Sequence, residues 1–503
     1  MMKNLFLMVA LFSVTLLYAQ VPEVEWQKSL GGSSYDLANS IWQTTDGGYI
    51  VAGYSYSNDG DVSGNHGESD YWIVKLDDTG TILWQKSLGG SDWEEANSIQ
   101  QTSDEGYILA GFSYSNDGDV SGNHGEGDIW IVKLDSNGDI QWQKTLGGSQ
   151  DEWLYSMQQT TDGGFIVSGY SYSNDGDVSE NHGDSDYWII KLSADGTIQW
   201  EKSYGGSEGD YATEIQQTSD GGFIVAGVSY SNDGDVSVNK GEGDVWIVKL
   251  DQNGTIQWEK SYGGSGDDYA TSIQQTPDGG YIFGGNSSSN DGDVSGNQGD
   301  YDYWVVKLNA TGDIQWQKSF GGSNFDQLTV IRQTLDGGYL AAGESFSDDG
   351  DVIGNHGNND YWVIKLDESG NIEWQKTLGG SYPDGAYDMQ LTADGGYILA
   401  GNSWSNDGDV SGNHGYGDFW IVKLTGSVGL NETINKTIFS VYPNPATDLI
   451  TIKDVSPKTE LIITNTYGEI VFKTVAKNNE LTIDVSELPA GMYFINGQKF
   501  IKK

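Results

Sequence analysis

Three aspartates and a serine recur in one polar loop, at a spacing that can gather oxygens around a hard cation. The first copy reads Asp59, Asp61, Ser63, Gly64 and Asp70. Calcium takes about six to eight oxygen ligands, and alternate residues of a tight loop can turn theirs inward. The glycine lets the chain bend around the ion. The spacing returns at Asp117, Asp119, Ser121 and Asp128, at Asp291, Asp293, Ser295 and Asp302, and at Asp407, Asp409, Ser411 and Asp418. These four copies are the predicted Ca2+ sites. Three more keep the aspartates but change a neighbour: Glu180 and Val238 replace the glycine, and Ile353 replaces the serine.

Three like charges so close together repel unless screened or coordinated. That favours an ion over a solvated loop whose aspartates cap their own backbone. The pattern resembles the calcium loop D-x-[DN]-x-[DN]-G-x5-E, with Ser at its fifth position, Asp for the final Glu, and strands on either side. All five histidines fall in this loop, one in each of five copies beginning with His66, and Lys240 and Gln298 take the slot in the other two. One imidazole per copy cannot assemble a multi-histidine zinc site, so each is expected to be an exposed loop residue.

A second set of acids precedes a strand in every repeat: Asp36, Glu94, Glu152, Asp210, Asp268, Asp326 and Asp384. The residues beside them differ most between copies and include Trp93 and Trp153. Mixed aromatic and polar side chains at one spot of a uniform scaffold can individualise a binding face. These acids and the two tryptophans are therefore binding-face candidates. The alternative is that each acid bonds the backbone of the preceding turn, such as Gly31-Gly32-Ser33, and its neighbours drift.

The element that positions these residues is a repeat. Tryptophan returns every 58 residues from Trp26 to Trp374, and again from Trp72 to Trp420. Such a period signals a repeat architecture. Within one unit, Gly-rich turns such as Thr45-Asp46-Gly47-Gly48 separate short apolar runs, which predicts four antiparallel strands. Seven such units predict a seven-bladed β-propeller. The last unit stops after its third strand, and the missing fourth stands at the other end of the chain, as Val24 to Lys28. If that strand completes the last blade, the ring leaves no open edge. An open solenoid is the alternative. The tryptophans are expected to pack between sheets, and the lysines to protect outer strands.

Composition narrows the partners. The formal charge is −48 and there is no cysteine. Residues 21–425 carry 65 acids against 16 bases, and Arg332 is the sole arginine. Nucleic acid would be repelled and an anionic membrane surface is disfavoured, because both call for clustered cations. A cationic partner or bound metal fits the field. Residues 1–19, with Lys3 ahead of an apolar run from Leu5 to Leu17, read as a secretory signal peptide. No later segment is apolar enough to cross a membrane as a helix. Residues 21–425 form the propeller, 426–438 a linker, and 439–503 a small C-terminal β-sandwich.

No nucleophile elbow, HExxH or phosphate loop is present. Near-identical blades do not offer the asymmetric constellation that catalysis needs. Whether the protein is an enzyme stays open, and a binding or adhesion propeller for a glycan or protein ligand is favoured, expected as a monomer. The alternative is an extracellular glycan-active enzyme, glycoside hydrolase-like, using paired carboxylates on the propeller face.

The tail resembles a known family. Val441-Tyr442-Pro443-Asn444-Pro445, the turn Asn465-Thr466-Tyr467-Gly468-Glu469, the run Leu488 to Phe494 and the basic end Lys502-Lys503 match the type A C-terminal sorting domain of Bacteroidetes type IX secretion cargo. The resemblance implies engagement with the type IX machinery through residues 439–503, passage across the outer membrane, removal of the tail, and an extracellular or outer-membrane-surface location.

Overall fold

Turn chemistry cuts each repeat into four strands. The chain begins with β1 (Val24–Leu30), and the first repeat then forms β2 (Asp36–Gln43), β3 (Tyr49–Ser55), β4 (Asp70–Leu76) and β5 (Ile82–Leu88), hydrogen-bonded in that order. Gly47 closes the β2–β3 hairpin at a φ of 90°, which only glycine adopts without strain. The continuous apolar runs of β3 and β4 are buried along almost their whole length, as strands covered on both faces must be. The polar outer strand β5 stays half-exposed over its first five residues.

The computed structural model describes residues 21–426 and 440–503, except 443, 445, 454, 456–458, 466–469, 487, 490 and 496–497. The signal-peptide reading, nearly all of the linker and the Tyr467-Gly468-Glu469 turn lie outside these residues. Pro22–Gly426 is one compact unit of seven four-stranded sheets. Six sheets are built from consecutive strands. The seventh takes three strands from the last repeat and β1 from the start of the chain, Lys28 pairing with Ile421 and Leu30 with Phe419. The first strands of neighbouring blades touch in an unbroken cycle, the last returning to β2. The unit is a seven-bladed β-propeller, and the open solenoid is excluded.

The core lies between blades. Trp72 is fully buried and meets Phe419 of the seventh blade with ring centroids 4.5 Å apart. Ala38, Ile41 and Val51 share that cluster with Ile398 and Ile421. The same slot holds Trp130, Trp188, Trp246, Trp304, Trp362 and Trp420, all fully buried. Trp246→Ala is expected to cost about 3–5 kcal/mol, read by chemical denaturation, because a large cavity opens between two sheets. The Trp26 set lies on outer strands and packs edge-on, as Trp26 does on Tyr49 at 5.8 Å.

One lysine set corrects the expectation of edge protection. Lys75 and its counterparts are buried. Lys75 Nζ donates to Thr44 Oγ1 at 2.9 Å and to the Leu76 carbonyl at 3.1 Å, and pairs with Asp46 Oδ2 at 3.0 Å. The reason is placement: Lys75 sits on the third strand, with its ammonium aimed at the β2–β3 turn.

The tail is a separate unit with two sheets. Ser440–Tyr442, Leu449–Lys453 and Glu480–Asp484 form one; Ile470–Val475, Glu460–Asn465, Gly491–Ile495 and Gln498–Lys502 form the other. Ile450, Ile452, Ile463, Ile483, Tyr493 and Phe500 are buried together in its core, giving a small sandwich.

Candidate ligand cleft and acidic rim

Both acid sets lie at one end of the blades. Asp36 pairs with Ser55 across β2–β3, and Ser55 pairs with Asp70 across β3–β4. The acid expected ahead of each blade's first strand is that strand's opening residue and does not face solvent. Asp36 is fully buried, accepts from Gly32 N at 2.7 Å and Ser57 Oγ at 3.0 Å, and also accepts from Ser55 Oγ. Glu94 does the same with Gly90 N at 2.7 Å and Ser113 Oγ at 2.6 Å. Glu152, Asp210, Asp268, Asp326 and Asp384 are likewise buried against the backbone of the preceding turn. These seven carboxylates anchor turns.

The loop aspartates separate rather than converge. Asp59 Oδ1 accepts from Ser33 N at 2.7 Å, and the equivalent bond recurs in all seven blades, including Ser91 to Asp117, Ser265 to Asp291 and Ser381 to Asp407. Asp61 Oδ2 lies 3.4 Å from Gly31 N, and Asp119, Asp293 and Asp409 repeat that long contact. Ser63, Ser121 and Ser295 accept from the outer-strand Gln85, Gln143 and Gln317, and Ser411 accepts from Gln27 of β1 at 2.5 Å. Asp70 Oδ2 accepts from His66 N at 3.0 Å and lies 2.6 Å from His66 Nδ1. Asp128, Asp186, Asp360 and Asp418 hold their histidines in the same way. The histidines are thus only partly exposed. Among the described residues, no three His, Asp or Glu side chains converge in a metal-ligand shell.

Around each connecting glycine, carboxylates of two blades nonetheless crowd. A side chain at Gly89 would meet Glu94 Oε2 at 2.5 Å and Asp70 Oδ1 at 2.7 Å. Burial pushes Asp36 up to about 6, against the bonds from Ser55, Gly32 and Ser57, with Asp418 adding repulsion. Asp302, where Gln298 replaces the histidine, is driven by burial and by Asp326 and Asp351 up to about 7. Where His66 is present, its bonds partly offset the burial of Asp70.

The rim is individualised beside the buried acids. Between blades one, six and seven lies a cleft of about 460 Å³, lined by Tyr35, Leu37, Tyr54, Glu344, Phe346, Asn358, Asn359, Pro383, Tyr387, Asn402 and Trp404. Tyr35 meets Trp404 edge-on at 5.1 Å. Glu344 is half-buried and accepts from Asn359 Nδ2 at 2.7 Å. Burial raises its carboxyl above the usual range, offset only in part by that bond. Tyr35, Leu37 and Pro383 occupy the variable positions beside the acids. Glu344, Phe346 and Trp404 belong to the second strand of their repeats and the residues just past it, a slot the sequence reading passed over. A comparison of repeats would have exposed it: Tyr54, Phe112, Tyr170, Val228, Asn286 and Asn402 stand where Glu344 does.

Trp93 and Trp153 sit elsewhere on the rim, in blades two and three. Trp93 stacks on Tyr114 at 6.0 Å, and Trp153 stacks on Tyr170 at 6.5 Å and meets Phe112 at 4.0 Å. One face of each is thus stacked against another ring, and both side chains stay partly exposed. Burial raises the neighbouring Glu95 to about 7.

The tail's two-sheet fold has a counterpart among known families: residues 440–502 match the model of the secretion system C-terminal sorting domain. The tail is that sorting domain. It marks the chain as type IX secretion cargo, exported to the cell surface or the extracellular space. No helix among the described residues is long and apolar enough to cross a membrane. Elsewhere, a 207-residue stretch is 26% identical to the regulatory protein FlaEY of Caulobacter vibrioides, spanning 38% of this chain and 22% of that protein. Among solved structures, PorZ, a surface component of the type-IX secretion system of Porphyromonas gingivalis, is 12% identical, with a TM-score of 0.40 over 96% of this chain and 61% of its own. The Pan2 WD40 domain of Neurospora crassa is 11% identical, with a TM-score of 0.44 over 80% of this chain and 96% of its own. A fungal AA5-family alcohol oxidase in complex with copper is 12% identical, with a TM-score of 0.48 over 96% of this chain and 100% of its own. These likenesses carry no functional information.

Proposed function

We propose that the propeller of this type IX cargo is a binding module whose ligand, a glycan or a protein segment, seats in the cleft between blades one, six and seven. One observation carries the reading: this cleft joins five aromatic side chains to a lone glutamate. A concave site in which aromatic walls are joined by a few polar groups, here Glu344, Asn358, Asn359 and Asn402, can hold and orient a ligand. The test is binding of the full chain to glycan and peptide arrays, with Trp404→Ala as control. Binding that Trp404→Ala abolishes supports the reading, and binding indifferent to it does not. The glycan-hydrolase alternative needs two carboxylates about 5 Å or roughly 6.5–9.5 Å apart, and Glu344 is the one acid among the cleft's lining residues. Release of reducing sugar from a polysaccharide panel would restore that alternative.

A second reading concerns calcium. In all seven blades the third-strand aspartate, from Asp70 to Asp418, keeps a buried Oδ1 with no hydrogen-bond partner. A Ca2+ ion would then join carboxylates of two blades, such as Asp70, Glu94 and Asp119, rather than those of one loop. Asp119, half-buried and held by a contact of 3.4 Å, would have to turn inward. A higher melting temperature with Ca2+ above neutral pH supports this site, and no change there removes it.

A further inference from the structure

Resting on that reading of the cleft, we infer that the group it takes is a cation on an apolar stem: the ammonium of a lysine or the guanidinium of an arginine in a protein partner. Glu344 supplies the counter-charge. No lysine or arginine is among the cleft's lining residues, so the carboxylate faces the cleft without an internal partner of opposite sign. The fold does not demand an acid there, since six other blades place Tyr, Phe, Val or Asn in that slot. Tyr35, Tyr54, Phe346, Tyr387 and Trp404 line the same cleft, and aromatic rings attract a desolvated cation through their negative faces. The acidic unit as a whole draws cations toward its surface.

Gly385 makes the room. Its equivalents in the other blades are Leu37, Glu95, Trp153, Tyr211, Tyr269 and Gln327. A Cβ at Gly385 would come within 2.7 Å of Glu344 Oε2 and 3.2 Å of the Tyr387 hydroxyl. The one blade that lacks a side chain here thus lies beside the one that carries the glutamate. The volume, about 460 Å³, accommodates one long side chain with its flanking backbone.

The experiment is calorimetric titration of the full chain with a lysine-bearing tetrapeptide, the same peptide with norleucine, and a neutral oligosaccharide. The lysine peptide is expected to bind at least about tenfold more tightly than the norleucine one, and Glu344→Gln to erase that difference. Gly385→Leu, which restores the residue of blade one, is expected to abolish binding while the chain stays folded by circular dichroism. Equal binding of the two peptides, or indifference to Glu344→Gln, overturns the cationic class. Binding of the oligosaccharide alone, lost in Trp404→Ala, overturns it too while sustaining the cleft as the seat. If no probe's binding depends on Trp404, the cleft reading itself fails.

Discussion

Deletion of residues 21–30 is expected to destabilise the whole ring, not one blade. β1 supplies the fourth strand of the seventh blade, and Leu30 lies in the core that blades one and seven share. Its loss exposes the edge of Asp418–Leu424, a strand buried at every position, and unpaired edges recruit other chains. Several ladder bonds at about 1 kcal/mol each and a buried leucine at about 2 kcal/mol amount to at least about 5 kcal/mol. The melting temperature should fall by at least roughly 6 °C, and size-exclusion chromatography should show concentration-dependent association. A truncated chain that stays monomeric with unchanged melting would contradict ring closure through β1.

The second large effect is an inverted pH profile. Burial raises Asp36, Asp210, Asp244 and Asp384 to about 6 and Asp302 to about 7, against about 3.9 in an unfolded chain. A raised carboxyl binds its proton more tightly in the folded state. Its contribution is therefore complete below about pH 4 and is lost as pH climbs through 6 to 7. Two pH units correspond to about 3 kcal/mol per site. An opposite set guards the acid side. Asp162 and Asp278 are raised by burial, but hydroxyl and backbone donors and the buried Lys191 and Lys307 outweigh it, leaving both at about 2. Their contribution is present above about pH 4 and is lost as pH falls through 2. Melting temperature should thus peak near pH 4–5 and drop by roughly 10 °C or more by pH 8. A profile that climbs from pH 5 to pH 8 would contradict these assignments. Added Ca2+ should recover the loss at pH 8 and do nothing at pH 4.5 if an ion joins the blades.

Much of the fold was legible because one beat of 58 residues repeats the same turns and the same two tryptophans. Ring closure was legible in the orphaned strand at Val24. The site was legible only in part, because linear spacing does not say where a side chain points. Asp59, Asp61 and Asp70 look like one ligand set, yet Asp70 opens a strand and faces the next blade's connector, while Asp59 and Asp61 reach back to the previous one. Lys75 alternates with apolar neighbours on the third strand, and only pairing reveals the turn that buries it. The cleft was hidden for a topological reason. Tyr35 and Trp404 are distant in the chain and become neighbours when β1 closes the ring.

The central claim is that the rim's asymmetry at the closing junction seats the ligand. The most direct measurement is fluorine NMR of the chain labelled with fluorotryptophan, titrated with the lysine tetrapeptide, with the Trp404 signal assigned through Trp404→Phe. The account predicts a shift of the Trp404 signal, while those of Trp93, Trp153 and the buried Trp72 set hold still. Shifts centred on Trp93 and Trp153, or no shift at Trp404, would contradict it.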